Sequence, residues 1–355
     1  MTKDESLQLK GIAILMMLWL HLFGTDRAIL ENSENFIHLW NGAPIAYAMR
    51  KLGRMCVVLY TFLGGYGLAK VYQRSGNCTR GFGIYGGMNN GKRVWKLFTN
   101  YWIVLLMFMA VAVAIKPDRY PGDISEITGN ITALNCTYND SLWFLLPYAM
   151  LTLLASPIIK FANSLHGTRL WITLAVAFTV KCAVYNIARP TGGLGSLMLK
   201  NIIEASGLFF MFLVGILFAR DSFLERTVTS IKQWLSRSFA ARSLHISTSA
   251  MCTVILAALF FGRIVLGAST LIDPIYILLI VLTFLCIETP KWLSRSLAYL
   301  GSHSTNIWFT HRYILVLSGT LITLFRYPVV IISVLVLCCL TCSYIINAVK
   351  RLFRI

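Results

Sequence analysis

Apolar residues run along this chain in blocks of about twenty, and the shorter polar stretches between them hold most of the charge. A hydrocarbon core roughly 30 Å thick is crossed by about 20 helical residues, so each block predicts a membrane-spanning helix. Ten spans follow, at 8–24, 54–72, 97–115, 142–162, 169–187, 202–219, 244–261, 264–287, 304–324 and 328–349. Between the seventh and eighth, Gly262 to Pro274 reads either as a short loop or as the start of a span. The expected fold class is all-α, a polytopic bundle of about ten spans forming one domain over residues 1–355, with no appended soluble domain. The first block lacks a small-residue cleavage pattern and is read as a retained span rather than a signal peptide.

Composition agrees with a membrane: 57% of the residues are hydrophobic and 13% charged, where soluble domains hold about 25% charged residues. The net charge of +18 brings nucleic acid to mind, but its placement argues against that partner. With the N-terminus inside, the inner connections hold Lys70, Arg74, Arg80, Lys92, Arg93, Lys96, Arg220, Arg226, Lys232, Arg237, Arg242, Lys291, Arg295, Lys350, Arg351 and Arg354. The outer ones hold most of the acids, among them Asp26, Glu31, Glu34, Asp118, Asp123, Glu126 and Asp140. Basic residues collect on the cytoplasmic side of membrane proteins, which predicts both termini cytoplasmic in a multi-pass protein of the cytoplasmic membrane. Such an inner face also suits anionic lipid or a phosphorylated ligand.

The nine cysteines do not form a disulfide framework, since most lie within spans and Cys136 stands alone in an outer loop. The histidines lack zinc-site spacing and the acids form no oxygen cage, so no metal is expected. Of the longer loops, 25–53 contains a partly amphipathic stretch from Phe36 to Met49, and 116–141 is polar and turn-rich. The inner loop 73–96 includes "RGFGIYGGMNNGKR", whose glycines suit either a flexible linker or a close approach of backbone to phosphate.

The first span poses the chemical question. "LKGIAILMMLWLH", residues 9–21, places Lys10 at its inner end and His21 eleven positions later. At about 100° per residue that spacing is three turns plus roughly 20°, so both side chains leave one helical face, about 16 Å apart along the axis. An ionisable group inside a span is costly and is a functional candidate by default. Acyl-coenzyme A fits the line: its phosphates would meet Lys10, and its slender pantetheine arm would carry the thioester to His21. Histidine is suited by its unperturbed pKa to take a proton from an attacking hydroxyl. Alone, the pair reads more readily as a snorkelling lysine and a hydrogen-bonded, packed histidine.

At these residues the sequence resembles the acyltransferase 3 family of integral membrane acyltransferases, whose first span carries a basic residue, ten intervening positions and a histidine, as in "LKGIAIL" leading to His21. Four further stretches are similar to family patterns in the expected order: "CVVLYTFLGGYGL" (56–68), "KRVWKLFTNYW" (92–102), "SLWFLLPYAMLTLLASPII" (141–159) and "LGSHSTNIWFTHRYIL" (300–315). The resemblance implies transfer of an acyl group, commonly acetyl, from cytoplasmic acyl-coenzyme A to a hydroxyl of a cell-surface or lipid-linked glycan outside. It assigns His21 as the catalytic base and Lys10, Arg93 and Lys96 to the coenzyme phosphates, with His311 and Arg312 in the ninth span as further contacts. Lysine at positions 10 and 96, where many relatives hold arginine, keeps the charge and loses the bidentate guanidinium fork. Trp19 and Leu20 are bulkier than the small residues common before the histidine, which bears on the shape of an acyl pocket.

Other polar residues of the spans stay open. Arg312 needs a partner, which a ligand phosphate or an acid would supply. Glu204 and Asp273 each read as a helix-start acid or as the carboxylate behind His21. Lys181 reads as a contact for an anionic acceptor or as a snorkelling side chain. A transporter of an anionic solute would also carry basic residues inside its spans, and paired hydropathy in inverted halves, its signature, is not evident here.

Overall fold

The computed structural model describes residues 1–25, 27–34, 37–39, 42–74, 90–188, 196–240, 247–265, 271–322 and 324–353. Their secondary structure is helical apart from one isolated β-bridge between His38 and Pro44. The chain opens with α1 (Lys3–Leu20), which runs into a π-helical turn over His21–Thr25, then the short α2 (Arg27–Asn32) and α3 (Ile45–Gly53). Next come α4 (Cys56–Arg74), α5 (Asn90–Ile115), α6 (Ile124–Ile131), the bent pair α7 (Leu145–Leu153) and α8 (Ala155–Ser164), and α9 (Gly167–Ala183). The remainder is α10 (Leu197–Ala219), α11 (Phe223–Ala240), α12 (Thr248–Val265), α13 (Asp273–Cys286), α14 (Lys291–Ile322) and α15 (Pro328–Leu352).

Among the described residues, seven helices are long and apolar enough to cross a membrane, or eight if the bent pair counts as one, where the sequence predicts ten spans. The bend is 60° and has a local cause: Pro157 has no N–H to give the carbonyl of residue 153 and its ring crowds the preceding turn. Of the other two predicted spans, α13 has only 14 residues. The second, α14, is 32 residues long and carries Lys291, Arg295, His303, Asn306, His311 and Arg312. Part of the inner connection read as a loop is the basic amphipathic helix α11. Most of the glycine-rich stretch, with Arg80, lies outside the described residues, as do Asp26, Arg242 and Arg354.

Among the described residues, several helices approach backbone to backbone. A Cβ on Gly11 would overlap the carbonyl oxygen of Leu297, and one on Gly301 that of Leu7. Gly65 and Gly215 stand in the same relation to the carbonyls of Phe212 and Phe62. Small residues at such crossings let dispersion contacts act where the lipid removes the hydrophobic drive for helix association. The rings of His21 and His311 meet further along at 4.9 Å between centroids, so α1 and α14 run parallel. The chain of contacts Asn100–Asn306, Tyr101–Phe309 and Phe108–Tyr313 makes α5 parallel to α14 as well. In contrast α4 opposes α1: the Met1 amine meets Tyr66, Tyr60 meets Lys10, and Gly53 backs onto Leu20. The connection after α14 is short and folds α15 back along it, which brings the start of α1 and the end of α15 to the same end of the bundle.

A buried polar network ties α5, α14 and α15 on the far side of α14 from α1. Asn306 accepts from the Asn100 amide at 2.8 Å and donates to Ser343 Oγ at 2.8 Å, and Lys350 Nζ donates to Asn100 Oδ1 at 3.0 Å. Such networks are stabilising only while every member is satisfied. Asn306→Leu is therefore expected to cost about 1–2 kcal/mol by stranding the buried Asn100 amide N–H, while Ser343 keeps His303 at 2.8 Å, read as a lower thermal midpoint of the purified protein.

Candidate active site

One cavity of about 410 Å³ runs between α1, α4, the α7 region and α14, and both Lys10 and His21 line it. Their shared helical face is thus turned inward along a common space. Beside Lys10, Tyr60 donates its hydroxyl to the lysine's own carbonyl at 3.2 Å, and Ser304 and Thr305 of α14 complete that part of the wall. Gly64 fits under the ring of Tyr148, whose edge a Cβ there would strike. At the other end, His21 opens the π-helical turn, a local widening that often marks functional positions. Leu20 lines the cavity, whereas Trp19 turns away, donating its indole N–H to the carbonyl of Ala46 at 2.8 Å. The expected reshaping of the pocket therefore falls to leucine alone.

His311 does not line the cavity. It is fully buried, with its ring against that of His21 and Nδ1 paired with the carbonyl of Trp308 at 2.9 Å. Its Nε2 has no hydrogen-bond partner among the described residues. If Nδ1 carries the proton that this carbonyl accepts, the free nitrogen of the neutral ring is an acceptor. Arg312 meets an acid: Nε donates to Asp140 Oδ1 at 2.9 Å, and the pair lies within electrostatic range of His21. The loop that presents Asp140, Ser141 and Trp143 is fastened by Arg119, whose guanidinium grips both carboxylate oxygens of Glu126. This contact, with the Thr137 hydroxyl, holds the Glu126 carboxyl below its ordinary range.

Arg93 and Lys96 project from the exposed start of α5 and do not line the cavity. Arg93 lies within electrostatic range of Tyr148, which does. Asp273 and Lys181, left open by the sequence, both line the cavity and are 3% and 2% exposed. Asp273 is held by Arg263, Nη2 to Oδ1 at 2.5 Å, so its carboxylate has a cation of its own. Glu204 does not line the cavity. Sequence reasoning missed Arg54, a cavity residue at the break between α3 and α4, because basic residues near span ends are common. Among the described residues, no group of three or more His, Cys, Asp or Glu is placed to hold a metal ion.

Long apolar helices packed around a cavity lined by both apolar and charged side chains define a multi-pass membrane protein. Its family follows from the whole chain: the sequence pattern described as an acyltransferase domain of the acyltransferase 3 type matches residues 7–348. The chain belongs to this family, and its class of reaction is acyl transfer. No curated protein and no solved structure matches it.

Proposed function

We propose that the protein is an O-acyltransferase that moves an acyl group, most simply acetyl, from cytoplasmic acyl-coenzyme A to a hydroxyl of an extracytoplasmic glycan or lipid-linked sugar. The observation that carries this reading is that Lys10 and His21, about 16 Å apart by the rise of α1, line one cavity. Both termini then lie on the cytoplasmic side, the donor enters beside Lys10, and Arg93 and Lys96 attract its phosphates from the rim. Pantetheine threads along the wall of Tyr60, Ser304 and Thr305 towards His21.

There the imidazole takes the acceptor's hydroxyl proton as the oxygen attacks the thioester carbon. The new C–O ester bond forms, the C–S bond breaks, and the departing coenzyme sulfur recovers the proton from the imidazolium. His311 packs behind His21 and holds its ring. Arg312, held by Asp140, fixes the loop that closes the cavity over it, in place of a direct contact to the donor.

Coenzyme A is expected to raise the thermal midpoint of the purified protein, because a ligand that binds only the folded state stabilises it. Lys10→Glu should weaken that binding at least ~10-fold, since one phosphate contact of 1.4 kcal/mol is worth a factor of ten. A midpoint unmoved by saturating coenzyme A would remove the donor from the scheme. Mass comparison of surface glycans with and without the gene then identifies the acylated product.

A further inference from the structure

A groove of about 530 Å³ lies between the α7–α8 pair, α9 and α10, apart from the cavity. Leu151 and Phe161 line it from α7 and α8, Ile172, Val176 and Val180 from α9, and Phe209 from α10. The two hydroxyls among its lining residues turn back on their own helices, Thr173 donating to the carbonyl of Arg169 at 2.8 Å and Ser206 to that of Ile203 at 2.7 Å. The wall therefore presents hydrocarbon. Ile172 and Val176 are 58% and 57% exposed and open the groove outwards. The helix α9 is loosely seated, with 17% of its apolar stretch buried against 56% for the span that begins at Leu197. Both are long and apolar enough to cross a membrane, so the groove opens onto lipid chains.

One end of this groove is basic. Arg169, Ile172, Thr173, Val176 and Val180 follow the spacing of a single helical face, so the exposed Arg169 stands in line with the groove wall, one turn nearer the start of α9. Lys160, also exposed, precedes Phe161. Residues 141–203 contain no Asp or Glu, so α7, α8 and α9 bring basic charge and no acid. Asp221, past the end of α10, faces Arg220 at 3.7 Å. Arg220 also donates to the carbonyl of Leu165 at 2.8 Å, which places the start of α9 at the end of the bundle where Lys70 meets Glu225. From Arg169 to Val180 the helical rise is about 16 Å, close to half of a hydrocarbon core roughly 30 Å thick. A basic rim above an apolar trough one leaflet deep matches the outline of a phospholipid with an anionic headgroup.

We propose that the groove binds an anionic phospholipid, with one acyl chain along Ile172, Val176 and Val180 and the headgroup at Arg169. In the orientation given above this is a lipid of the inner leaflet. Once seated it braces α9, whose next turns carry Lys181 and Tyr185 into the cavity wall. The site goes beyond the acyl-transfer reading and stands whether or not that reading holds.

The test is native mass spectrometry of the purified protein, stripped of lipid in detergent and then given phosphatidylglycerol or phosphatidylcholine with the same acyl chains. Phosphatidylglycerol is expected to be held about 5-fold more tightly, the worth of one basic residue at an anionic surface, and Arg169→Gln should erase that preference. Val176→Trp, which fills the trough and leaves the headgroup contact, should weaken retention of phosphatidylglycerol to a similar degree. Both positions are exposed, so neither variant threatens the fold. Arg237→Gln, on the basic helix α11, controls for general attraction to a basic surface and should change nothing. Equal retention of the two lipids would overturn the site, as would a preference that survives Arg169→Gln or falls as far in Arg237→Gln. Retention untouched by Val176→Trp would mean that charge alone holds the lipid, and would remove the groove from the proposal.

Discussion

His21→Ala is expected to lower acyl transfer by roughly 10²–10⁴-fold, the range over which a positioned general base contributes, and to leave coenzyme A binding in place. The two effects separate because Lys10 and His21 line different parts of one cavity. Removing the imidazole takes away the proton acceptor without disturbing the wall of Tyr60, Ser304 and Thr305. The measurement is paired: acyl mass on the surface glycan of cells carrying each form, and the thermal shift of each purified protein with coenzyme A. A variant that still acylates at the normal rate would take His21 out of the chemistry, whatever the cavity looks like. A burst of acyl-enzyme in rapid mixing of the unaltered protein would instead make His21 a nucleophile that accepts the acyl group first. His311→Ala is a subtler case. His311 meets the ring of His21 and the carbonyl of Trp308 and does not line the cavity, so its loss should lower turnover with little change in coenzyme A affinity.

The spacing of Lys10 and His21 was legible because it is a property of one helix: eleven residues at a fixed pitch determine a shared face whatever surrounds it. The helical class and the location of the apolar blocks were legible for the same reason. The span count was not, since α14 is long and polar where the sequence suggested an ordinary ninth span. Its polar positions serve three neighbours at once: Asn306 towards α5 and α15, His311 towards His21, and Arg312 towards Asp140. Hydropathy averages these roles away. Arg54, Lys181 and Asp273 are far apart in sequence and meet only through packing, so no local pattern connects them. Pro157 is the residue at which the fourth predicted span bends, and the length of the apolar run alone does not reveal it.

Gly301→Leu is expected to prevent the protein from accumulating in a folded form. A Cβ at this position would overlap the carbonyl oxygen of Leu7, a backbone atom that cannot rotate aside, so α1 and α14 must separate. Overpacking of this kind costs about 3 kcal/mol or more when the neighbour is rigid, a large share of the few kcal/mol that hold a domain together. Separation would also move Lys10 and His21 away from Ser304, Thr305 and Trp308, so any folded fraction should bind coenzyme A poorly. Gly67 is the internal control, having no heavy atom within 4 Å of an added Cβ. Gly67→Ala should leave the thermal midpoint unchanged or slightly higher, since alanine favours helix over glycine by about 1 kcal/mol. Gly11 faces Leu297 across the same seam, which makes the pair diagnostic. Once Gly301→Ala has forced the helices apart, Gly11→Ala has less left to disrupt, so the double variant should lose less stability than the two single losses added together. Additive losses would mean that the two glycines do not share one crossing, and the parallel contact that sets the cavity's width would have to be redrawn.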